Sequence, residues 1–260
     1  VSTCRKSTAG YNLTKLFVGS QGTLGVITQA VVKLHARPAV CSVAVCPFLT
    51  VNKAVEAAVG TLQCSVPIAK LEFLDANAIA ACNKYSKLTL TESPSLFVEF
   101  HGSSEAEVAA QASLVEIFAS NDGTQFTWLH ALEEQKKLWI ARHSVHNSIL
   151  SLKDNLAHAL LFIFDGAVVG HVGFGHFRCI LLADDSDENQ KRVIMELFDH
   201  TYRRALAVGG SCAGEFGIGI DQRKYLKTER GEVGVNTMIA IKKALDPNGI
   251  MNSKKLFMEI

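Results

Sequence analysis

The sequence predicts an α+β fold, antiparallel sheets with helices on one face. Three observations carry that expectation. Apolar residues recur at helical spacing across residues 51–62 and again at Val108, Ala112, Val115 and Phe118. Short β-rich runs occupy residues 41–46, 69–74 and 95–102. Strands and helices alternate along the chain, and strands this short point to an antiparallel layer. The 260 residues, 48% hydrophobic and 20% charged, suffice for a sizeable core.

The elements follow in order. Residues 1–34 are rich in glycine and threonine and end in Val26-Ile-Thr-Gln-Ala-Val-Val-Lys-Leu34, whose β-branched residues read as a strand. Residues 35–40, with Pro38, read as a connector. A strand at 41–46 precedes a helix carrying Val51, Ala54, Val55, Ala58, Val59 and Leu62 on one stripe. A strand at 69–74 and a helix at 77–85 come next. Residues 95–102 alternate, with Leu96, Val98 and Phe100 on one side and Phe97, Glu99 and His101 on the other, which reads as a half-buried strand. A helix covers 105–120 and another 132–152. Strands are expected at 160–164 and 177–182. A long helix at 187–208 turns Val193, Ile194, Leu197, Tyr202 and Leu206 inward. The last helix, 232–245, is stopped by Asp246-Pro-Asn-Gly249, since proline cannot continue it.

A formal net charge of +1 provides no field to recruit nucleic acid. The longest apolar run, 157–172, holds His158, Asp165 and His171 and is too short and polar for a transmembrane segment. The seven cysteines include no C-x-x-C pair, so they are expected to be buried thiols in a reducing compartment.

Two segments carry chemistry. In residues 18–28, glycines 19, 22 and 25 let the backbone approach a ligand, and exposed amides there could bind phosphate. The spacing is neither G-x-G-x-x-G nor a Walker loop, so a plain glycine-rich turn is the competing reading. In residues 170–178, Gly-His-Val-Gly-Phe-Gly-His-Phe-Arg, two histidines thread through three glycines, as in a metal site or a tight turn. Arg142 follows Trp139 on a helix, where its guanidinium either clamps a carboxylate or is simply solvated.

Residues 10–28, ending Gly19-Ser-Gln-Gly-Thr-Leu-Gly-Val-Ile-Thr28, closely resemble the end of the FAD-binding domain in FAD-linked oxidases of the vanillyl-alcohol-oxidase type. Lys70-Leu-Glu-Phe-Leu-Asp75, Leu96-Phe-Val-Glu-Phe-His-Gly102, Leu138-Trp-Ile-Ala-Arg-His143 and Leu245-Asp-Pro-Asn-Gly-Ile-Met-Asn252 resemble that family's D-lactate dehydrogenase branch. The resemblance implies a tail of the α+β FAD-binding domain at 1–38 and a ferredoxin-like substrate domain at 39–260. It implies FAD-dependent oxidation of D-lactate or another D-2-hydroxy acid, with electrons passed to cytochrome c or another carrier, in mitochondria.

Residue by residue, the resemblance places FAD against Gly19, Ser20, Gly22, Thr23, Leu24, Gly25, Ile27 and Asn252, the last beside Lys255, with Gln21 replacing the usual glutamate. Arg142 corresponds to the arginine that binds the substrate carboxylate. His171 and Glu215 correspond to catalytic-site ligands of a divalent metal, zinc or manganese. Arg178 and Phe216 stand where the family has further histidines, Phe174 replaces aspartate and His176 replaces asparagine. Arginine has no lone pair for a metal and phenylalanine accepts no proton. His176 is a substitute ligand, displaced from position 178 by about 6–7 Å along a strand.

Two absences are expected to matter. Only about 28 residues separate Arg142 from His171, where family members carry a further strand and helix. Losing that strand should leave a gap in the sheet or force neighbours to rearrange. The upstream flavin lobe is not in this chain either. The expectation is therefore a family oxidoreductase by descent that is inactive alone; the alternative is a catalytically silent member acting as a binding or interaction protein.

Overall fold

A computed structural model describes residues 4, 7–119, 126–152, 166–182 and 186–257. The chain divides into two compact units, Val1–His35 with Lys191–Ile260, and Ala36–Gln190. The expected division was 1–38 and 39–260. By packing, residues 191–260 group with the N-terminal segment, for reasons of hydrogen bonding given below.

The central unit is one sheet with helices. Its strands are β1 (Val40–Pro47), β2 (Ile68–Leu74), β3 (Ser95–Gly102), β4 (Thr127–Leu129), β5 (Gly166–His171) and β6 (His176–Leu181). They run antiparallel in the order β4-β1-β3-β2-β5-β6. Helices α2 (Val51–Gln63) and α4 (Glu105–Ala119) pack on Leu71, Phe73, Leu96, Val98 and Phe100, the expected single helical layer. A second layer was not expected. Helices α3 (Ala76–Ser86), α5 (Leu132–His143) and α6 (Val145–Leu150) cover the opposite face through Val43, Val45, Leu74 and Phe97. Strand β3 is therefore buried on both faces rather than half-buried, and its inward Glu99 is only 6% exposed.

Local chemistry explains the boundaries. Thr50 caps α2 by accepting from the Lys53 amide, and Asp75 caps α3 by accepting from the Ala78 amide. The single helix expected at 132–152 is two, because the chain leaves helical geometry at Ser144. The strand expected at 160–164 lies outside the described residues. No gap follows from the shortened connection, since β5 pairs directly with β2 through Phe73↔Gly170 and Leu74↔Val169.

The other unit holds α1 (Leu13–Phe17), α7 (Glu188–Ala207), α8 (Gly219–Gln222) and α9 (Leu226–Leu245), which kinks at Gly231. Its core gathers Cys212, Ile218, Tyr225, Leu226 and Phe257. The strand expected at 26–34 is absent. That segment makes no ladder bonds, and Val26, Ile27, Val31, Val32 and Leu34 are exposed. β-branched residues favour a strand only where a neighbour completes the pairing. The cysteines also depart from expectation: Cys46, Cys82 and Cys212 are buried, but Cys4, Cys41 and Cys64 are exposed. Among the described residues, no helix is long and apolar enough to cross a membrane.

Candidate active site

The sequence Lys70-Leu-Glu-Phe-Leu-Asp75 explains itself once folded as β2. Strand alternation sends Lys70, Glu72 and Leu74 to the face under α5 and sends Leu71 and Phe73 to the opposite core. Glu72 thus stands beneath Arg142, whose Nη2 donates to its Oε2 at 2.7 Å. Register places Glu72 beside His171, and the two are joined Oε1 to Nδ1 at 2.7 Å. The side chains of Arg142 and Glu72 are 9% and 10% exposed, so the pair is held away from water. Arg142 is not the solvated helix arginine of the competing reading. Its Nε is buried without a hydrogen-bond partner among the described residues.

Glu72 was not singled out from the sequence. The signal was an acidic residue with inward parity in a short strand, two positions from Lys70 on the same face. Such a charge is retained only if paired. The neighbouring Asp75 is also partly withdrawn from water. Burial pushes its carboxyl above the usual carboxylate range, against the lowering effect of the Ala78 and Val168 amides.

Residues 170–178 form a hairpin, so the tight-turn reading and the site reading both describe it. β5 ends at His171, a 3₁₀ turn covers Val172–Phe174, and Gly175 takes φ +75°, where a side chain would be strained. His171 and His176 face each other across the hairpin, ring centroids 4.9 Å apart. His176 is therefore nearer His171 than its sequence position implied. Arg178 lies on the same face of β6. Phe174 is 87% exposed and lines no core. In the other unit, Glu215 and Phe216 lie exposed on the loop before α8, with Phe216 80% exposed.

Of the metal ligands that the resemblance implies, His171 remains a possible one, since Glu72 engages only its Nδ1 and a carboxylate there is the usual outer partner of a ligating imidazole. Position 178, by contrast, holds a cation without a lone pair, and position 216 holds a hydrocarbon ring.

The glycine-rich segment is a compact double turn. The Thr23 amide and hydroxyl both donate to the Ser20 carbonyl, at 3.0 and 2.7 Å. Gly19, Gln21 and Gly22 have positive φ. Asn252 donates to the Gln21 carbonyl at 2.6 Å, and the Gln21 side chain accepts from the Ile218 amide. Lys242, 1% exposed, donates to the carbonyls of Thr23 and Met251, each at 2.7 Å, and to Asp246. Asp246 in turn accepts from the Ile250 and Met251 amides. These bonds explain Leu245-Asp-Pro-Asn-Gly-Ile-Met-Asn252 and tie the C-terminal turn to the glycine loop. Gly19, Ser20, Thr23 and Leu24, with Met238, Ile241 and Phe257, line a cavity of about 190 Å³. That volume is below the roughly 300–1,000 Å³ usual for small-molecule pockets and is too small for a whole FAD. Of the expected contacts, Thr23 spends its hydroxyl internally and Ile27 is exposed.

One unit thus holds a doubly covered antiparallel sheet with a buried arginine facing an acid, and the other holds a glycine loop tied to the C-terminal turn. The chain belongs to the family described as FAD linked oxidases, C-terminal domain, whose profile matches residues 37–168 and 150–256. The two matched segments overlap at residues 150–168, between Arg142 and His171. The chain is 37% identical over 274 residues to a probable mitochondrial D-lactate dehydrogenase of Danio rerio, covering 97% of this chain and 55% of that protein. It is 36% identical over 282 residues to the mitochondrial D-lactate dehydrogenase (cytochrome) of Arabidopsis thaliana, covering 98% and 49%. The chain thus spans about half the length of these relatives. Among solved structures, an alkyldihydroxyacetonephosphate synthase shares the fold with a TM-score of 0.58 at 17% identity, over 96% of this chain and 51% of that one.

Proposed function

We propose that this chain supplies the substrate side of an FAD-dependent dehydrogenase that oxidises D-lactate or a related D-2-hydroxy acid to the 2-oxo acid. Residues 1–38 are then the end of the flavin-binding domain and 39–260 the substrate domain. The observation that carries the reading is Arg142, buried, with one donor on Glu72 and its Nε unspent. A buried guanidinium with unused donors is a receptor for a planar carboxylate.

His171 completes the reading. With Glu72 as the acceptor at Nδ1, the imidazole takes the tautomer in which Nε2 is the acceptor nitrogen. Arg142 and His171 share one carboxylate, so a bound acid on the arginine presents its adjacent hydroxyl to the imidazole. His171 takes the hydroxyl proton. FAD, when bound, would supply the acceptor for the hydride on the carbon that bears this hydroxyl, and Gly19, Ser20, Gly22, Thr23, Leu24, Gly25, Ile27 and Asn252 are the residues that would hold it. Glu215 is carried over as the acidic metal ligand that the resemblance implies. The electrons would pass to cytochrome c or another carrier, and a mitochondrial location is part of the reading, supported by the names of the relatives.

The test is anaerobic addition of D-lactate to the flavin-loaded protein in its longest natural form. Bleaching of the flavin, with Arg142→Met raising KM and His171→Gln lowering kcat, is expected. An unbleached flavin overturns the reading. It favours the silent family member, for which Arg178 and Phe216 in place of histidines are the specific support.

A further inference from the structure

We propose that Cys41, Glu99 and His101 form a binding site for one divalent cation of borderline softness, of which zinc is the representative. The site lies within the sheet unit and owes nothing to the hydroxy-acid reading.

The geometry follows from antiparallel pairing. Cys41 on β1 stands directly opposite His101 on β3. Glu99 lies two residues before His101 and shares its face. One ligand atom from each of the three lies within 4.8 Å of the other two. Ligands around a tetrahedral zinc are about 3.3–3.6 Å apart, given Zn–S near 2.3 Å and Zn–N near 2.0 Å. A side-chain adjustment of about 1 Å closes the set, and the backbone need not move. The His101 Nε2 and Glu99 Oε1 atoms are already 2.8 Å apart.

The surroundings favour a bound ion over three bystanders. Glu99 has a side chain only 7% exposed, an unusual place for a carboxylate. Lys70 donates to its Oε2 at 2.8 Å and is itself held over the Trp139 ring at 4.5 Å. That contact leaves Oε1 as the single ligand oxygen, the role an outer partner plays at a metal carboxylate. Cys41 is exposed, so an ion can enter and a water can take the fourth position. Sulfur, nitrogen and oxygen donors together select zinc-like ions and disfavour magnesium or calcium, which take oxygen alone. Thiolate and carboxylate supply two negative charges to the ion, the carboxylate also serving Lys70, and the thiol proton leaves as the ion binds.

Chelator-treated protein titrated with Co²⁺ tests the site. We expect one equivalent to give a sulfur-to-cobalt charge-transfer band in the near ultraviolet, displaced by Zn²⁺. Cys41→Ser abolishes that band, and His101→Asn weakens Co²⁺ binding at least ~10-fold. Cys64→Ser, which removes an exposed thiol elsewhere, leaves both unchanged. As a second readout, Zn²⁺ raises the Tm of the natural sequence and not that of His101→Asn. Absence of a sulfur band in the natural sequence, or a band that survives Cys41→Ser, overturns the proposal. So does an equal Tm rise in His101→Asn.

Discussion

Replacing Glu72 by leucine is expected to cost more than removing most core side chains. At 2.7 Å the attraction between Arg142 and Glu72 is about 6 kcal/mol at an effective dielectric of about 20, before desolvation is subtracted. Removing one partner of such a buried pair costs ~3–5 kcal/mol, because the other charge is left without compensation. Glu72→Leu should fall at the upper end, since it orphans a guanidinium whose Nε already has no partner and also releases His171. Arg142→Met should fall at the lower end, since His171 still holds Glu72. The double variant Glu72→Leu/Arg142→Met replaces both charges by apolar groups and should lie within about 1 kcal/mol of the natural sequence. Urea unfolding followed by tryptophan fluorescence reads the right unit, because the chain's two tryptophans, Trp128 and Trp139, both lie in Ala36–Gln190. A coupling of at least about 2 kcal/mol is expected from the cycle. Additive costs, or singles below about 1 kcal/mol, would refute a functional buried pair.

Acid should loosen the C-terminal turn only late in its titration. The Lys242 hydrogen bond, opposed by burial and assisted by the Met251 and Ile250 amides, holds the Asp246 carboxyl below its usual range. A depressed carboxylate contributes stability above its unfolded pKa and loses it as pH falls through the folded value. Hydrogen exchange at Ile250 and Met251 should therefore accelerate only below the ordinary carboxylate range, and Asp246→Asn should remove that pH dependence. Thiol labelling should divide the cysteines. Burial, with Glu116 adding, pushes the Cys46 thiol up to about 12, and burial with Glu229 pushes Cys212 up to about 11. Iodoacetamide at neutral pH, read by peptide mass, should modify Cys64 and leave Cys46 and Cys212 until the protein unfolds.

Much of this architecture was legible because its signals are local. Periodic alanines and valines mark α2, and Thr50 and Asp75 announce the helices they cap. The second helical layer was less legible. Phe97, Glu99 and His101 look like a solvent face when only one strand is read, and the helices that cover them arrive from distant sequence. Arg142 was found through its wording, whereas its partner Glu72 lies 70 residues earlier, and no periodicity links the two. The segment at 26–34 shows the converse failure. Its composition predicts a strand, but pairing is a property of two segments, and no partner lies beside it among the described residues.

Asp75 illustrates how narrowly one position can be specified. One oxygen accepts from the Ala78 amide at the start of α3, and the other accepts from the Val168 amide of β5 at 2.7 Å. Asparagine offers a single acceptor and would aim an NH₂ at one of two N–H donors, and glutamate would overshoot both. A shape-preserving swap at this site is thus chemically excluded. Where a helix begins and where the hairpin attaches are decided by the same atom pair, so neither can drift without the other.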